Sequence, residues 1–254
     1  MRLEVFRADP AGNITLFVLT PVEKARRAAV AAALMARAEY GAEQVGFVCE
    51  TDADGGFEMM GGEFCGNATR AYGAYLAEKL GKTELSLRVS GCDHPVRVSA
   101  DGGEAWADMP LPCGVRSLRV GETDGTLVDL GGIVHFVAEH APSEAFFAAA
   151  EEKICAGGTP EAYGVMFLDS AAQTLAPLVK VAATDTLVWE GSCGSGTLAA
   201  ACAQSEGVQD GVFCRSYRQR AGTVTAEVTR RGGQIVGARI GGAVTIGAPF
   251  TVEV

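Results

Sequence analysis

Hydrophobic and polar positions alternate from the start of the chain. Residues 3–7 and 14–19 carry the period-two pattern of half-buried strands. Thr20-Pro21-Val22-Glu23 reads as a capping box with proline at the first helical position, and an alanine-rich helix is expected to run to about Glu39. Residues 45–49 form a short apolar strand. A helix is expected over 66–80, closed by Gly81 in the C′ position, followed by strands at 85–90, 95–99 and 105–109.

The second half runs in the same order. Strands are expected at 127–130 and 133–137, a helix at 143–153 behind Pro142, and strands at 164–169 and 178–182. A helix follows at 194–205, then strands at 223–229, 234–240, 243–246 and 251–254. Gly12-Asn13-Ile14-Thr15-Leu16-Phe17-Val18 aligns with Gly131-Gly132-Ile133-Val134-His135-Phe136-Val137 at an offset of 119. That match, with the common element order, points to an internal duplication. A site between the copies is the natural expectation.

Each half contains one cysteine-glycine turn leading into a helix. The first is Gly61-Gly62-Glu63-Phe64-Cys65-Gly66-Asn67-Ala68-Thr69-Arg70; the second is Glu190-Gly191-Ser192-Cys193-Gly194-Ser195-Gly196-Thr197. A thiol at a helix N-terminus sits where N–H groups and the helix dipole favour a thiolate and bind an anion. Removing an amino-acid Cα proton needs an aimed base, and the charge left behind spreads into the carboxylate. Helix N-termini stabilise that charge. One thiolate and one thiol on opposite faces of the carbon would invert it. The backbone amides of Gly66-Asn67 and Gly194-Ser195 are expected to hold the α-carboxylate. The chain has only two asparagines, Asn13 and Asn67, and both lie in glycine motifs. Asn13 reads as a substrate ligand. Asn67 reads either as a turn residue or as a ligand, and Glu190 either as a ligand or as helix-start electrostatics.

Composition narrows the classes. The 254 residues are 48% hydrophobic, enough for two domains with a substantial core. A net charge of −10 argues against nucleic-acid and anionic-membrane partners. The arginines at 215, 218 and 220, and the Arg230-Arg231 pair, read as a solvated face. No apolar run reaches the roughly 18 residues that span a bilayer. The first residues lack a signal peptide's apolar region, so a cytoplasmic location is expected. The eight cysteines include no C-x-x-C, and the three histidines are not spaced as zinc ligands, so no metal is expected.

Cys65-Gly66-Asn67 and Cys193-Gly194-Ser195-Gly196-Thr197, with Gly12-Asn13 near the start, resemble the motifs of the diaminopimelate epimerase-like superfamily. Its racemases and epimerases work by two cysteines without pyridoxal phosphate or another cofactor. The resemblance covers nearly the whole chain. It implies an α/β (α+β) fold of two pseudo-symmetric domains, each a mainly antiparallel sheet around a central helix. In such folds the last strand returns to the first domain. The expected domains are therefore 1–117 with 243–254, carrying Cys65, and 118–242, carrying Cys193. A homodimer is also implied.

Longer blocks are similar to the histidine racemases of the staphylopine (opine metallophore) pathway. They are Glu43-Gln44-Val45-Gly46-Phe47, Gly62 to Thr69, Val89-Ser90-Gly91-Cys92, and Leu187-Val188-Trp189-Glu190 with Ser192 to Thr197. This resemblance implies Cys65 and Cys193 as the catalytic pair, an amino acid as substrate, and Glu43 as a pocket carboxylate suited to an imidazole N–H. Gln44 would be its neutral companion. The diaminopimelate pattern departs here: Thr184 and Asp185 stand where those epimerases place a Glu-Arg pair. The phenazine-type isomerases lack the cysteine pair and use a glutamate where this chain has Gln44. Rival readings are an epimerase of another amino acid, a cysteine-nucleophile hydrolase needing one turn only, and a non-catalytic amino-acid-binding protein. His135, inside an apolar strand, reads as a core or pocket-lining histidine, and His94 and His140 have no motif context.

Overall fold

Alternating side chains on β1 (Arg2–Asp9) serve two cores at once. Leu3 and Val5 enter one, and Phe6 and Ala8 enter the other. The computed structural model describes residues 1–254, and the chain divides into two units, Met1–Asp108 with Gly241–Val254, and Met109–Ile240.

The first unit contains β1, β2 (Thr15–Val18), α1 (Lys24–Met35), β3 (Gln44–Cys49), β4 (Gly55–Met59), α2 (Gly66–Leu80), β5 (Glu84–Val89), β6 (Val96–Asp101) and β7 (Glu104–Asp108). Pairing is antiparallel for β1–β2, parallel for β2–β3, antiparallel for β3–β4, parallel for β4–β5 and antiparallel for β5–β6 and β6–β7. One core packs on α1 with Leu16, Val45 and Phe47; the other packs on α2 with Phe17, Phe57 and Tyr72.

The second unit contains β8 (Gly114–Val120), β9 (Thr123–Asp129), β10 (Ile133–Glu139), α3 (Glu144–Ile154), β11 (Ala162–Asp169), β12 (Thr174–Val181), β13 (Thr186–Trp189), α4 (Gly194–Gln204), β14 (Gly211–Arg218), β15 (Thr223–Arg231) and β16 (Gln234–Ala243), which runs past its end. β9–β10 is antiparallel, β10–β11 parallel, β11–β12 antiparallel, β12–β14 parallel and β14–β15 antiparallel. The sequence of signs from β1 to β6 is thus repeated, with β13 as an added antiparallel strand on β12. The chain ends with β17 (Thr245–Ile246) and β18 (Phe250–Glu253), both antiparallel to β1. β8 likewise pairs with β9 along its whole length. The first unit's leading segment closes at Asp108, and β8 is hydrogen-bonded to β9 within the second unit.

The central helices bury many small residues. Gly66, Ala68, Thr69, Ala71 and Gly73 are buried in α2; Gly194, Gly196, Ala199, Ala200, Ala201 and Cys202 are buried in α4. A Cβ at Gly73 would lie 2.3 Å from Val98 Cγ1, and one at Gly196 would lie 2.1 Å from the Met166 sulfur. Small side chains let the sheet approach the helix backbone.

Several expectations shift. The capping box does not form, because Thr20 Oγ1 accepts the backbone N–H of Glu4 at 2.8 Å and Glu23 makes no side-chain cap. α1 begins at Lys24 and stops at Met35, since Arg37 adopts an extended backbone (φ −87°, ψ 99°) ahead of a separate 3₁₀ turn at Ala38–Tyr40. Arg230 is not on a solvated face. It is buried and donates to Ser205 Oγ and the Cys202 carbonyl, where a cation suits the C-terminal end of α4. No helix is long and apolar enough to cross a membrane.

Gly73→Leu should destabilise the protein by about 1–3 kcal/mol through overpacking against Val98. Denaturant unfolding tests this, and an unchanged midpoint would contradict the close approach.

Candidate active site

Cys65 and Cys193 occupy the same place in the two repeats. Each is the N-cap of the central helix, with extended backbone angles (φ −127°, ψ 107° and φ −117°, ψ 111°). Each sulfur accepts a first-turn N–H, from Ala68 at 3.4 Å and from Gly196 at 3.3 Å. Each cysteine carbonyl accepts the hydroxyl of the threonine four residues on, Thr69 at 2.8 Å and Thr197 at 2.6 Å. The N–H groups of Gly66, Asn67, Gly194 and Ser195 belong to first turns, where no intrahelical acceptor exists.

Around Cys65 the surroundings are polar and half-buried. Gln44 Nε2 donates to Asn13 Oδ1 at 2.9 Å and Thr15 Oγ1 at 2.8 Å, and lies 3.4 Å from the Cys65 sulfur. Asn13 Nδ2 in turn donates to Glu43 Oε2 at 3.1 Å. Parallel pairing of β2 with β3 sets Thr15 opposite Gln44. Asn13, Glu43, Gln44 and Cys65 thus form one connected group. Asn67 does not join it. Its side-chain Oδ1 accepts Arg70 Nε at 3.1 Å, and the side chain is buried.

Cys193 is in drier surroundings. Its sulfur is buried, with Ser195 Oγ at 3.4 Å, and Ser195 Oγ is 2.9 Å from His135 Nε2. Burial lowers His135 to about 3, so its imidazole is neutral at ordinary pH, and its Nδ1 has no partner. Burial also pushes the Cys193 thiol well up, and the neighbouring Glu190 carboxylate adds to this. The hydroxyl of Ser195 and the N–H of Gly196 pull the other way without overcoming it. A helix terminus alone therefore does not bring this thiol near working pH: losing water costs its thiolate more than two donors return. Glu190 lies beside the Cys193 thiol.

With this geometry in view, the comparisons are specific. A family model described as the histidine racemase CntK N-terminal domain matches residues 2–252. The chain belongs to this family. It is 31% identical over 212 residues to a histidine racemase of Fusobacterium nucleatum subsp. nucleatum, covering 78% of each chain. It is 28% identical over 214 residues to a histidine racemase of Staphylococcus aureus, covering 77% of each. Among solved structures, a predicted epimerase from Pseudomonas aeruginosa superposes over 100% of both chains with a TM-score of 0.71 at 13% identity. The fold is of the diaminopimelate epimerase-like superfamily, and the protein is an isomerase, an amino-acid racemase acting on a small molecule.

Sequence reasoning missed several supports of this racemase's turns. Thr69 and Thr197 had a signal, a threonine four residues after each cysteine. His135 was set aside as core, and it is core, but it also reaches Cys193 through Ser195. Gln219 had no signal. It is buried, accepts the Cys193 N–H at 2.8 Å and donates to Thr197 Oγ1 at 2.8 Å from the end of β14.

Gln219→Leu should cost about 1–3 kcal/mol by leaving the buried Cys193 N–H without an acceptor. Urea unfolding checks this; a loss under about 0.5 kcal/mol would show that the N–H finds another acceptor.

Proposed function

We propose that this racemase interconverts L- and D-histidine without a cofactor, using Cys65 and Cys193 as a thiolate/thiol pair. The observation that carries this is the repetition of one device, a cysteine capping a buried central helix, once in each copy. One sulfur takes the Cα proton and becomes a thiol. The other thiol gives its proton to the opposite face and becomes a thiolate, so protons balance over the turnover. The first-turn amides of Gly66, Asn67, Gly194 and Ser195 hold the α-carboxylate and the charge that develops on it.

Glu43 favours histidine as substrate. Its carboxylate is held by Asn13 within the hydrogen-bonded group that reaches Cys65, and a carboxylate suits an imidazole N–H better than a second carboxylate. Asn13 and Gln44 orient the bound amino acid. A distal carboxylate, as in diaminopimelate, meets no cation at Thr184 or Asp185, and Asp185 is itself paired with Lys180 at 3.1 Å. The thiols must stay reduced, which fits a cytoplasmic enzyme, and a homodimer follows the family resemblance.

The reduced protein should be incubated in D2O with histidine, lysine, arginine and LL-diaminopimelate while Cα–H loss and chirality are followed. Deuterium entry with inversion of histidine is expected, and Cys65→Ser and Cys193→Ser should each lower the rate by about 10² or more. Racemisation intact in either variant would overturn the two-thiol mechanism. Turnover of another amino acid without histidine would overturn the substrate. Glu43→Gln should raise KM for histidine about tenfold, from the loss of a charge-assisted hydrogen bond; an unchanged KM would remove Glu43 from the recognition of the side chain.

A further inference from the structure

His135 is fully buried, and its imidazole has a single partner. Nε2 lies 2.9 Å from Ser195 Oγ, and the buried Nδ1 bonds to nothing. Burial alone lowers the ring to about 3, so it is neutral and carries one proton. A proton on Nδ1 would bury an N–H with no acceptor, which folded proteins avoid more strictly than an unmet acceptor. A proton on Nε2 leaves Nδ1 as a bare lone pair and gives Ser195 Oγ a donor. The surroundings therefore assign the proton to Nε2.

A hydroxyl that accepts from the ring turns its own hydrogen elsewhere. The Cys193 sulfur lies 3.4 Å from Ser195 Oγ, and the same sulfur accepts the Gly196 N–H at 3.3 Å. The other groups at Cys193 are the Glu190 carboxylate beside the thiol and Gln219, whose Oε1 accepts the Cys193 N–H at 2.8 Å. The strands flanking β10 bring no charge to the ring, since Gly164 of β11 and Val128 of β9 stand opposite His135.

Packing does not call for a histidine at this place. Pairing of β2 with β3 sets Phe17 opposite Gly46, and pairing of β10 with β11 sets His135 opposite Gly164. By strand register His135 stands where Phe17 stands in the first copy, one residue along from Leu16, which the sequences align with it. Phe17 is fully buried and packs on Phe6 and Phe57. The residue two after each cysteine is also held differently: Asn67 by Arg70 Nε at 3.1 Å, Ser195 by His135. An apolar ring fills the place in one copy, and in the other a ring with a polar edge reaches the turn.

We propose that His135 is a positioning residue, which holds Ser195 Oγ so that the hydroxyl hydrogen points at the Cys193 sulfur. The inference rests on the two-thiol reading above. When Cys193 has given its proton to Cα, its sulfur is a buried thiolate beside Glu190, and it meets two donors already aimed, the Ser195 hydroxyl and the Gly196 N–H. Neither His135 nor Ser195 gives up a proton; both only orient.

Two spectroscopic measurements on the reduced full-length protein, without substrate, test this. ¹⁵N NMR of protein labelled at histidine, with the His135 signals identified by their loss in His135→Phe, should show a protonated Nε2 and a bare Nδ1. A proton on Nδ1 would overturn the proposal, because Ser195 would then donate to the ring. The infrared S–H band of Cys193, isolated by subtracting the spectrum of Cys193→Ala, should move in His135→Phe and in Ser195→Ala. In the double variant it should match Ser195→Ala alone. A band unmoved by His135→Phe, or moved by it equally with and without Ser195, would overturn the proposal, the second by showing a structural role alone. If His135→Phe does not fold, the histidine signals are identified in His135→Gln, which keeps an N–H donor for Ser195 and should leave the band in place; a displaced band there would overturn the proposal. With histidine as substrate, His135→Phe should lower kcat about threefold to tenfold and leave KM within about twofold of wild type. A raised KM at unchanged kcat would place the ring in substrate binding and overturn the assignment. The tautomer and the band can hold while histidine is not racemised, and that outcome would remove the proposed function and leave the orientation of Ser195 standing.

Discussion

A helix whose first turn is buried cannot leave the polar groups of that turn to solvent, so they must meet side chains or a ligand. In α2 and α4 that demand is met by cysteine. The sulfur takes one N–H and the cysteine carbonyl takes a threonine hydroxyl. Much else follows from burying these helices. Much of their buried surface is glycine and alanine, and the flanking strands approach closely. Serine would cap as well, but its hydroxyl ionises far above any working pH, whereas a thiol ionises much closer to it.

The two copies satisfy this constraint in different electrical settings. Cys65 sits among amides within a half-buried group, on a helix carrying a buried guanidinium. Cys193 sits beside a carboxylate with its sulfur withdrawn from water.

The neutral His135 belongs to the same account. A charged imidazole in that buried position would be costly, and its neighbour Ser195 already engages Cys193. As a neutral ring it orders the serine hydroxyl without adding charge beside the thiol.

Periodicity, glycine placement and two short motifs were enough to read the repeated strand-helix order, the central helices with their Gly81 stop, the cysteine caps and the family resemblance. These are local properties: a helix start, a left-handed glycine or a strand alternation is written within a few neighbouring residues. Only the tertiary structure decided the rest. Thr20 left its helix for a strand, because a backbone donor sixteen residues earlier was closer to hand. β8 joined the second unit because its partner strand lies there. Arg70, Arg230 and Gln219, polar residues that a sequence places on the surface, went inside, where distant carbonyls and amides could satisfy them. Their roles depend on acceptors far away in the chain and on the loss of water around them, and neither quantity is local to the residues that carry it.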